Sequence, residues 1–286
     1  MPERATQTVV VTGATAGIGF VTARSLASDG MRVVALGRSP ARITAADAAI
    51  RASIGEPNLE WIRADFASLD EVARASEEIA ASCGHIDVLV NNAGNQLIDR
   101  RVTADGFETT YQVNHLAPFL MTAKLLPNLL RSDRPQVITL SSIGHSMIDD
   151  MVWDDLQMES DFSAFRAYAQ SKLANVLFTH ELARRTVGTA LVASAVHPGL
   201  VASDFPNKGD TFMQDYYRDA SARGEALTSE QGAETVVWLA RGVGNSTPSG
   251  GYFFRRERVA ASAGGSDPVS ARRLWAISEA QVSKFL

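Results

Sequence analysis

The sequence predicts a doubly wound α/β domain, about seven parallel strands in one sheet with helices on both faces. Short β-branched runs alternate with longer stretches of helical periodicity along nearly the whole chain. The first run passes straight into a glycine-rich turn and then a helical stretch, the order in which a nucleotide-binding parallel sheet begins. No repeat, low-complexity block or interdomain linker divides the chain, so residues 1–286 read as a single domain.

Strands are expected at 8–11 (TVVV), 32–36 (RVVAL), 59–63 (LEWIR), 88–90 (VLV), 136–140 (QVITL), 191–196 (LVASAV) and 251–254 (GYFF). Each is short and rich in β-branched, aliphatic or aromatic residues, which suit a buried pleated surface. Helices are expected at 18–28, 69–82, 104–130, 165–185 and 230–240. As right-handed crossovers between parallel strands they cover both faces of the sheet. Pro127 falls late in the long middle stretch, where it favours a kink or an early end. The strongest loop signal, "SAGGSD" at 262–267, lies too near the end to divide domains.

Hydrophobic residues make up 45% and charged residues 21%, ordinary values for a globular protein with a substantial core. A net charge of −5 argues against a nucleic-acid or anionic-membrane surface. The lone cysteine, Cys83, excludes an intrachain disulfide and a cysteine-based zinc cluster and is expected as a reduced, partly buried thiol. No apolar stretch approaches the roughly 20 residues that span a bilayer. The few polar residues before the first apolar run suggest neither signal peptide nor anchor. The expectation is a soluble, cytoplasmic protein with a small-molecule substrate and no nucleic-acid or membrane partner. No His or carboxylate cluster has metal-ligand spacing, and no metal is expected.

In "TGATAGIG", residues 12–19, Gly13 can take a tight turn, while Gly17 and Gly19 let backbone approach a phosphate and let the helix pack on the strand. The spacing is G-x-x-x-G-x-G, not the commoner G-x-G-x-x-G. The helix N-terminus offers unpaired N–H groups and partial positive charge to a pyrophosphate. Thr15, Ala16 and Ile18 belong to the same expected cradle. After the second strand, "LGRS" at 36–39 holds no acidic residue to accept a ribose 2′-hydroxyl. Arg38 could pair instead with a 2′-phosphate, which favours NADP(H) over NAD(H). Asp65, in "ADF" with Phe66 beside it, could accept from an adenine amino group, or serve as a helix cap.

Tyr168 and Lys172, in "YAQSK", fall four residues apart within the 165–185 stretch. On a helix the phenol and ammonium would project from one face. A fixed cation favours phenolate. Bringing a phenol from ~10 towards neutrality takes roughly 3 units, about 4 kcal/mol. The spacing alone arises by chance in many helices; what precedes it gives it weight.

Together these residues resemble the short-chain dehydrogenase/reductase family of the classical type. "TGATAGIG", Asp65, "NNAG" at 91–94, Ser142, and Tyr168 with Lys172 fall in the family's order. "HPGLVAS" at 197–203 resembles the segment that holds the nicotinamide end. "DGFETTYQVNHLAPFLMT" at 105–122, the tail "LWAISEAQV" at 274–282 and the insert between Ser142 and Tyr168 are most similar to the retinol dehydrogenase-like branch. Protochlorophyllide reductase is a neighbouring branch.

The resemblance implies a Rossmann-type fold and an NADP(H)-dependent oxidoreductase that interconverts a carbonyl and an alcohol. Tyr168 would be the general acid or base, Lys172 would hold the nicotinamide ribose and lower the tyrosine pKa, and Ser142 would hydrogen-bond the substrate oxygen, with Ser141 the alternative. Asn114, in "YQVNHL", matches the position that holds a water in a proton relay to the lysine. Asn92, Ala93, Gly94, Pro198, Gly199, Val201 and Ser203 would join Tyr168 and Lys172 around the cofactor. Two departures stand out. Ser142 and Tyr168 are far wider apart than is common in the family, and Ser203 replaces the usual threonine. The insert, rich in acidic and bulky residues, is expected as a surface excursion near the site mouth, and Asp149, Asp150, Asp154 and Asp155 as a solvated acidic run.

His115 reads as packed or surface-lying, His145 and His197 as near the site without a metal pattern, and "RRER" at 255–258 as too short to suggest nucleic acid. Residues 205–224 fall where the family places a substrate lid. Phe205, Phe212, Met213, Tyr216 and Tyr217 would give it an apolar face, implying a medium-sized, largely apolar ketone, aldehyde or alcohol. Retinoids are not implied, since the chain is expected to lack those members' membrane anchor. Leu173, Val176, Leu177, Phe178 and Leu182 span more of their helix than one sheet contact needs, which is compatible with a homodimer or homotetramer. The alternatives are a protochlorophyllide-reductase-like C=C reductase and a non-catalytic NADP-sensing or scaffold protein on the same fold.

Overall fold

The computed structural model describes residues 6–201, 211–242 and 248–286; the side chains of residues 211–214, 216 and 217 also lie outside the description. In chain order the elements begin β1 (Thr8–Val11), α1 (Gly17–Ser28), β2 (Arg32–Gly37), α2 (Pro40–Ile54), β3 (Leu59–Arg63), α3 (Leu69–Ser82) and β4 (Val88–Asn91). They continue with α4 (Thr109–Tyr111), a π-helical turn (Gln112–Leu116), α5 (Ala117–Leu129), β5 (Gln136–Leu140), α6 (Ala164–Arg185), β6 (Val192–Val196) and α7 (Thr211–Ala222). Last come α8 (Ser229–Ala240), β7 (Gly251–Phe254), β8 (Glu257–Val259) and α9 (Pro268–Val282).

The strands form one sheet in the order β3-β2-β1-β4-β5-β6-β7-β8. All neighbouring pairs through β7 are parallel, and β8 alone runs antiparallel. β1, β4 and β5 are buried along their whole length, as strands covered on both faces must be. The two-residue side-chain period divides β1 between two cores. Val9 and Val11 pack with Val21, Leu26 and Val236 from α1 and α8, while Val10 packs on the other face with the core of α3 and α5. The chain order reverses between β1 and β4. In such sheets the crevice at the strand C-termini beside this switch point is where ligands bind.

Side-chain caps set most of the helix starts. Ser39, Ser68 and Ser163 accept N–H groups at the starts of α2, α3 and α6; Thr228 makes a capping box with Gln231, and Asp267 caps α9. Each such cap is worth about 1 kcal/mol. Ala16, before α1, has no side chain able to cap.

The structure departs from the expected elements in several places, helices α7 and α9 among them. β8 adds an exposed antiparallel eighth strand through a turn in which Arg255 and Arg256 take φ of 50° and 66°. This hairpin absorbs the "RRER" segment. The expected helix at 104–130 begins only at Thr109, where Glu108 accepts the N–H groups of Thr110 and Tyr111, and α5 runs two residues past Pro127. Helix α2 was not expected: its alanine-rich sequence buries only Ala46 and Ile50 and so carries little amphipathic signal. Residues 145–165 are not a loose surface excursion. Met151, Leu156, Leu173, Leu177, Ala271 and Leu274 share one cluster. The acidic residues there close turns: Asp155 accepts from the Glu159 and Ser160 N–H groups, and Asp150 from Met151 N and Trp153 Nε1.

Finally, the apolar excess on α6 is covered within the chain. Leu173, Val176, Leu177, Phe178 and Leu182 are all buried, and α9 lays Trp275 parallel to Phe178 at 5.8 Å. That face therefore gives no ground for a dimer. Cys83 is fully buried. Among the described residues no helix is long and apolar enough to cross a membrane.

Candidate active site

The turn after β1 folds around Thr12. Its Oγ1 donates to Val90 O at 3.2 Å and accepts from the N–H groups of Asn92 and Ala93 at 2.9 and 3.0 Å. Asn92 answers by donating Nδ2 to Thr12 O at 2.7 Å and Gly13 O at 3.2 Å. The loops after β1 and β4 are thus stitched edge to edge. Gly13 (φ 67°) has room for hydrogen only, since a Cβ there would lie 2.9 Å from Ala93 Cα. A Cβ at Gly19 would strike Gly13 O and Asn92 Nδ2. Gly17 (φ 57°) instead faces open space. An uncapped helix start behind an open glycine leaves backbone N–H groups free for an anion, which fits the pyrophosphate of a dinucleotide.

The other expected cofactor residues surround this turn. Thr15 lies against Gly37, where a Cβ would meet Thr15 Cγ2 at 2.5 Å. Ala16 is exposed, and Ile18 and Val201 flank Gly232 of α8. Arg38 is 71% exposed, its Nε 4.0 Å from Asp65 Oδ2. Asp65 Oδ1 accepts from Ala67 N at 3.0 Å, so one carboxylate oxygen shapes its own loop and the other faces Arg38. The Phe66 ring is in the core, leaving only its backbone near the crevice, and its carbonyl is held by Gln112 Nε2 at 3.2 Å. Gly199 (φ 89°) lies against Leu227, with Pro198 beside it half-buried.

Further along the sheet edge, Ser142, Tyr168, Lys172 and Asn114 converge. A Cβ on Gly144 would stand 3.5 Å from both Ser142 Oγ and Tyr168 Cε1, so the two side chains flank one small space. Ser142 Oγ accepts from Gly144 N at 3.1 Å, which leaves its proton to donate elsewhere. Ser141 is turned away, its hydroxyl donating to the Lys172 carbonyl at 2.8 Å. Lys172 Nζ lies 5.6 Å from the Tyr168 ring centroid and donates to Leu140 O at 3.1 Å. Burial pulls its pKa down to about 8. A Cβ on Gly94 would lie 3.2 Å from Asn114 Oδ1 and 3.6 Å from Lys172 Nζ, so glycine lets the β4 loop reach the ammonium.

Asn114 sits in the π-helical turn and its side chain is fully engaged. Oδ1 accepts from Asn95 N at 2.7 Å, while Nδ2 donates to Asn95 O and Ser171 Oγ, each at 2.9 Å. The side chain therefore fastens the loop after "NNAG" to α6.

Three histidines resolve differently from one another. His115 is packed among Tyr111, Phe119 and Phe178, with Nε2 2.7 Å from Ser278 Oγ, and burial takes its pKa down to about 3. His145 is buried beneath Ser142, and His197 reaches Ile143 and Gly199. Sequence reasoning placed the last two near the site without a task; their adjacency to "SSIG" and "PG" was the available signal. It missed Thr12 and Gly37, whose only mark is the turn they close. Ser203 and Phe205 lie outside the described residues, as do the side chains of Phe212, Met213, Tyr216 and Tyr217.

The short chain dehydrogenase family model matches residues 7–212. Human (Homo sapiens) retinol dehydrogenase 12 is 37% identical over 270 residues, 94% of this chain and 84% of that protein. A Streptomyces sp. (strain C5) protein, provisionally named a daunorubicin C-13 ketoreductase, is 37% identical over 277 residues, 96% of this chain and 92% of its own. Among solved structures, an uncharacterized protein from Mycobacterium paratuberculosis superposes with a TM-score of 0.77 at 32% identity, covering 98% of this chain and 94% of that one. A nucleotide-type glycine turn at the switch point, a Ser–Tyr–Lys convergence further along the same sheet edge and kinship over 94% of the chain agree: the chain belongs to the retinol dehydrogenase-like branch of the short-chain dehydrogenases, oxidoreductases that act on alcohols and carbonyls.

Proposed function

We propose that this protein is an NADP(H)-dependent reductase of a medium-sized, largely apolar ketone or aldehyde, or a dehydrogenase of the matching alcohol. The observation that carries the reading is the space beside Gly144, flanked at 3.5 Å by both Ser142 Oγ and Tyr168 Cε1. One wall is the Ser142 hydroxyl and the other is the Tyr168 ring edge next to the carbon that bears its hydroxyl, so a carbonyl oxygen entering here would have both hydroxyls to turn to as donors.

In reduction, Ser142 donates its free proton as a hydrogen bond to the substrate oxygen and steadies the charge that develops on it. Tyr168 delivers its phenolic proton to that oxygen, and takes one back in the oxidative direction. Lys172, anchored by one of its three N–H donors to Leu140 O, keeps two for ribose hydroxyls and holds positive charge beside the phenol. The nicotinamide, when bound, supplies or accepts the hydride. Gly13, Gly17 and the start of α1 hold the pyrophosphate, and Arg38 favours the 2′-phosphate of NADP. By sequence position alone, the apolar residues of 205–224 would face the substrate. The names of the two relatives, a retinol dehydrogenase and a daunorubicin C-13 ketoreductase, support a carbonyl or alcohol as the reacting group. A small-molecule substrate and a cytoplasmic location complete the reading.

The test is turnover of a panel of aldehydes and ketones with NADPH. Tyr168→Phe should abolish turnover and leave NADPH binding within about twofold. NADPH binding by the native protein, with no carbonyl or alcohol turned over, would exclude the enzyme and favour a sensor.

A further inference from the structure

We propose that His145 and His197 are positioning residues that clamp the Ser142 loop from both sides and tie it to the cofactor segment. The inference rests on the reading of Ser142 as the residue that holds the substrate oxygen. It adds to that reading the means by which the serine is held.

On one side stands His145. The Ser142 carbonyl receives two donors from it, the backbone N–H at 3.1 Å and ring Nδ1 at 2.7 Å. Ring Nε2 accepts from Ser262 N at 3.1 Å, which assigns the proton to Nδ1. Both ring nitrogens are thus spent on backbone. The ring is buried, packed against Tyr252 at 4.7 Å between centroids, with Gly265 close enough that a Cβ would lie 3.4 Å from Cδ2. A side chain so enclosed has little freedom, and it passes that rigidity to the peptide carrying Ser142.

On the other side stands His197. Its Nδ1 accepts from the N–H of Ile143, the residue after Ser142, and from that of Gly199, each at 3.3 Å. Its ring stacks on Phe254 at 4.8 Å. One acceptor shared between two N–H groups makes a direct link between the serine loop and the Pro198–Gly199 turn. A run of contacts therefore passes from Ser262 through His145, Ser142, Ile143 and His197 to Gly199. The serine hydroxyl and the segment proposed to meet the nicotinamide are set by the same frame. Both imidazoles must be neutral for this, since each uses a ring nitrogen as an acceptor, and burial lowers both pKa values.

Substitution separates the hydrogen bonds from the volume. His→Phe keeps a ring of similar size and deletes the bonds. His→Asn places an amide atom about where Nδ1 stands, as a donor at 145 and an acceptor at 197. With a carbonyl substrate and NADPH, His145→Phe should lower kcat about 10- to 100-fold while the NADPH Kd stays within about twofold. His145→Asn should recover most of that loss. His197→Phe should lower kcat similarly and also weaken NADPH several-fold, because it frees Gly199 too. The deciding arm is the Ser142→Ala background, where His145→Phe should cost less than threefold further, because its target is gone.

Full additivity in that background, or no recovery with asparagine, would overturn the proposal while leaving the Tyr168-dependent reductase intact. A native protein that binds NADPH and turns over nothing would remove the enzyme reading and this proposal together.

Discussion

Lys172 Nζ donates to the carbonyl oxygen of Leu140 at 3.1 Å, so the ammonium is fastened to the last residue of β5 before Ser141 and Ser142. Asn175 Nδ2 donates to the same oxygen at 3.0 Å, and the two residues lie one turn apart on α6. The lysine is placed by helix and sheet together.

The first prediction concerns its charge. The folded pKa of about 8 is below the usual lysine value of 10.5 because of burial. Between these pH values the unfolded chain binds more protons, so stability should rise as pH increases from about 8 towards 10.5. Below that window the buried charge costs stability, up to a few kcal/mol at about 1.4 kcal/mol per pH unit. Lys172→Met should therefore be at least as stable as the native protein at pH 7, and its stability should rise less over that window. Turnover should fall at least 100-fold. Urea unfolding at several pH values checks the first part, and steady-state kinetics the second.

Asn114→Ala removes the bonds to Asn95 N, Asn95 O and Ser171 Oγ and strands buried polar groups. The expected cost is about 2–3 kcal/mol in denaturant unfolding. Because Asn95 follows Gly94, which lies beside Lys172 Nζ, kcat should fall more than tenfold as well. Normal stability with lost activity would show that the side chain serves chemistry rather than the loop.

Acid should loosen this protein through its buried histidines. His115 and His197 are held at about 3 and about 4, against 6.5 for a free imidazole. From pH 6.5 downward the unfolded chain takes up protons that the folded one refuses, so stability falls with pH until the folded values are reached. His115 is fully enclosed and should dominate, with a contribution on the order of several kcal/mol. The midpoint of urea unfolding in His115→Phe should vary less between pH 7 and pH 5 than in the native protein.

Much of this fold was legible in the residues themselves. TVVV, LEWIR and QVITL became strands with the expected bounds, because short runs rich in β-branched and aliphatic residues suit a pleated sheet. Tyr168 and Lys172 were readable because a helix fixes the i, i+4 relation locally. What escaped was set by partners remote in sequence. The apolar breadth of α6 read as compatible with a dimer face, since nothing local says that Trp275 will stack on Phe178. His145 and His197 looked idle because their partners are backbone atoms, which carry no residue-type signal.

That remote packing is itself testable. Trp275 meets Phe119 edge-on at 4.8 Å and Phe178 face-on, with the Arg185 guanidinium 4.5 Å over its ring. Trp275→Ala should cost about 3 kcal/mol. Thermal unfolding should show a clear fall in Tm, with NADPH binding to the folded protein unchanged. A negligible change would mean that α9 is dispensable to α6.

Cofactor choice turns on Arg38 and Asp65. The guanidinium is well exposed, and its nearest carboxylate, at 4.0 Å, lies beyond good hydrogen-bond length, so little holds it back from a better partner. A 2′-phosphate offers dianionic oxygens that a planar guanidinium can grip in pairs. NADH offers only a hydroxyl there, and Asp65, the acceptor facing Arg38, already spends one oxygen on Ala67 N. Arg38→Ala should therefore reduce the NADPH-over-NADH ratio of kcat/KM by at least tenfold, mostly through KM. Asp65→Asn should leave that ratio on the NADPH side, since it removes a negative charge that faces Arg38. An unchanged ratio in Arg38→Ala would place the discrimination elsewhere in the crevice.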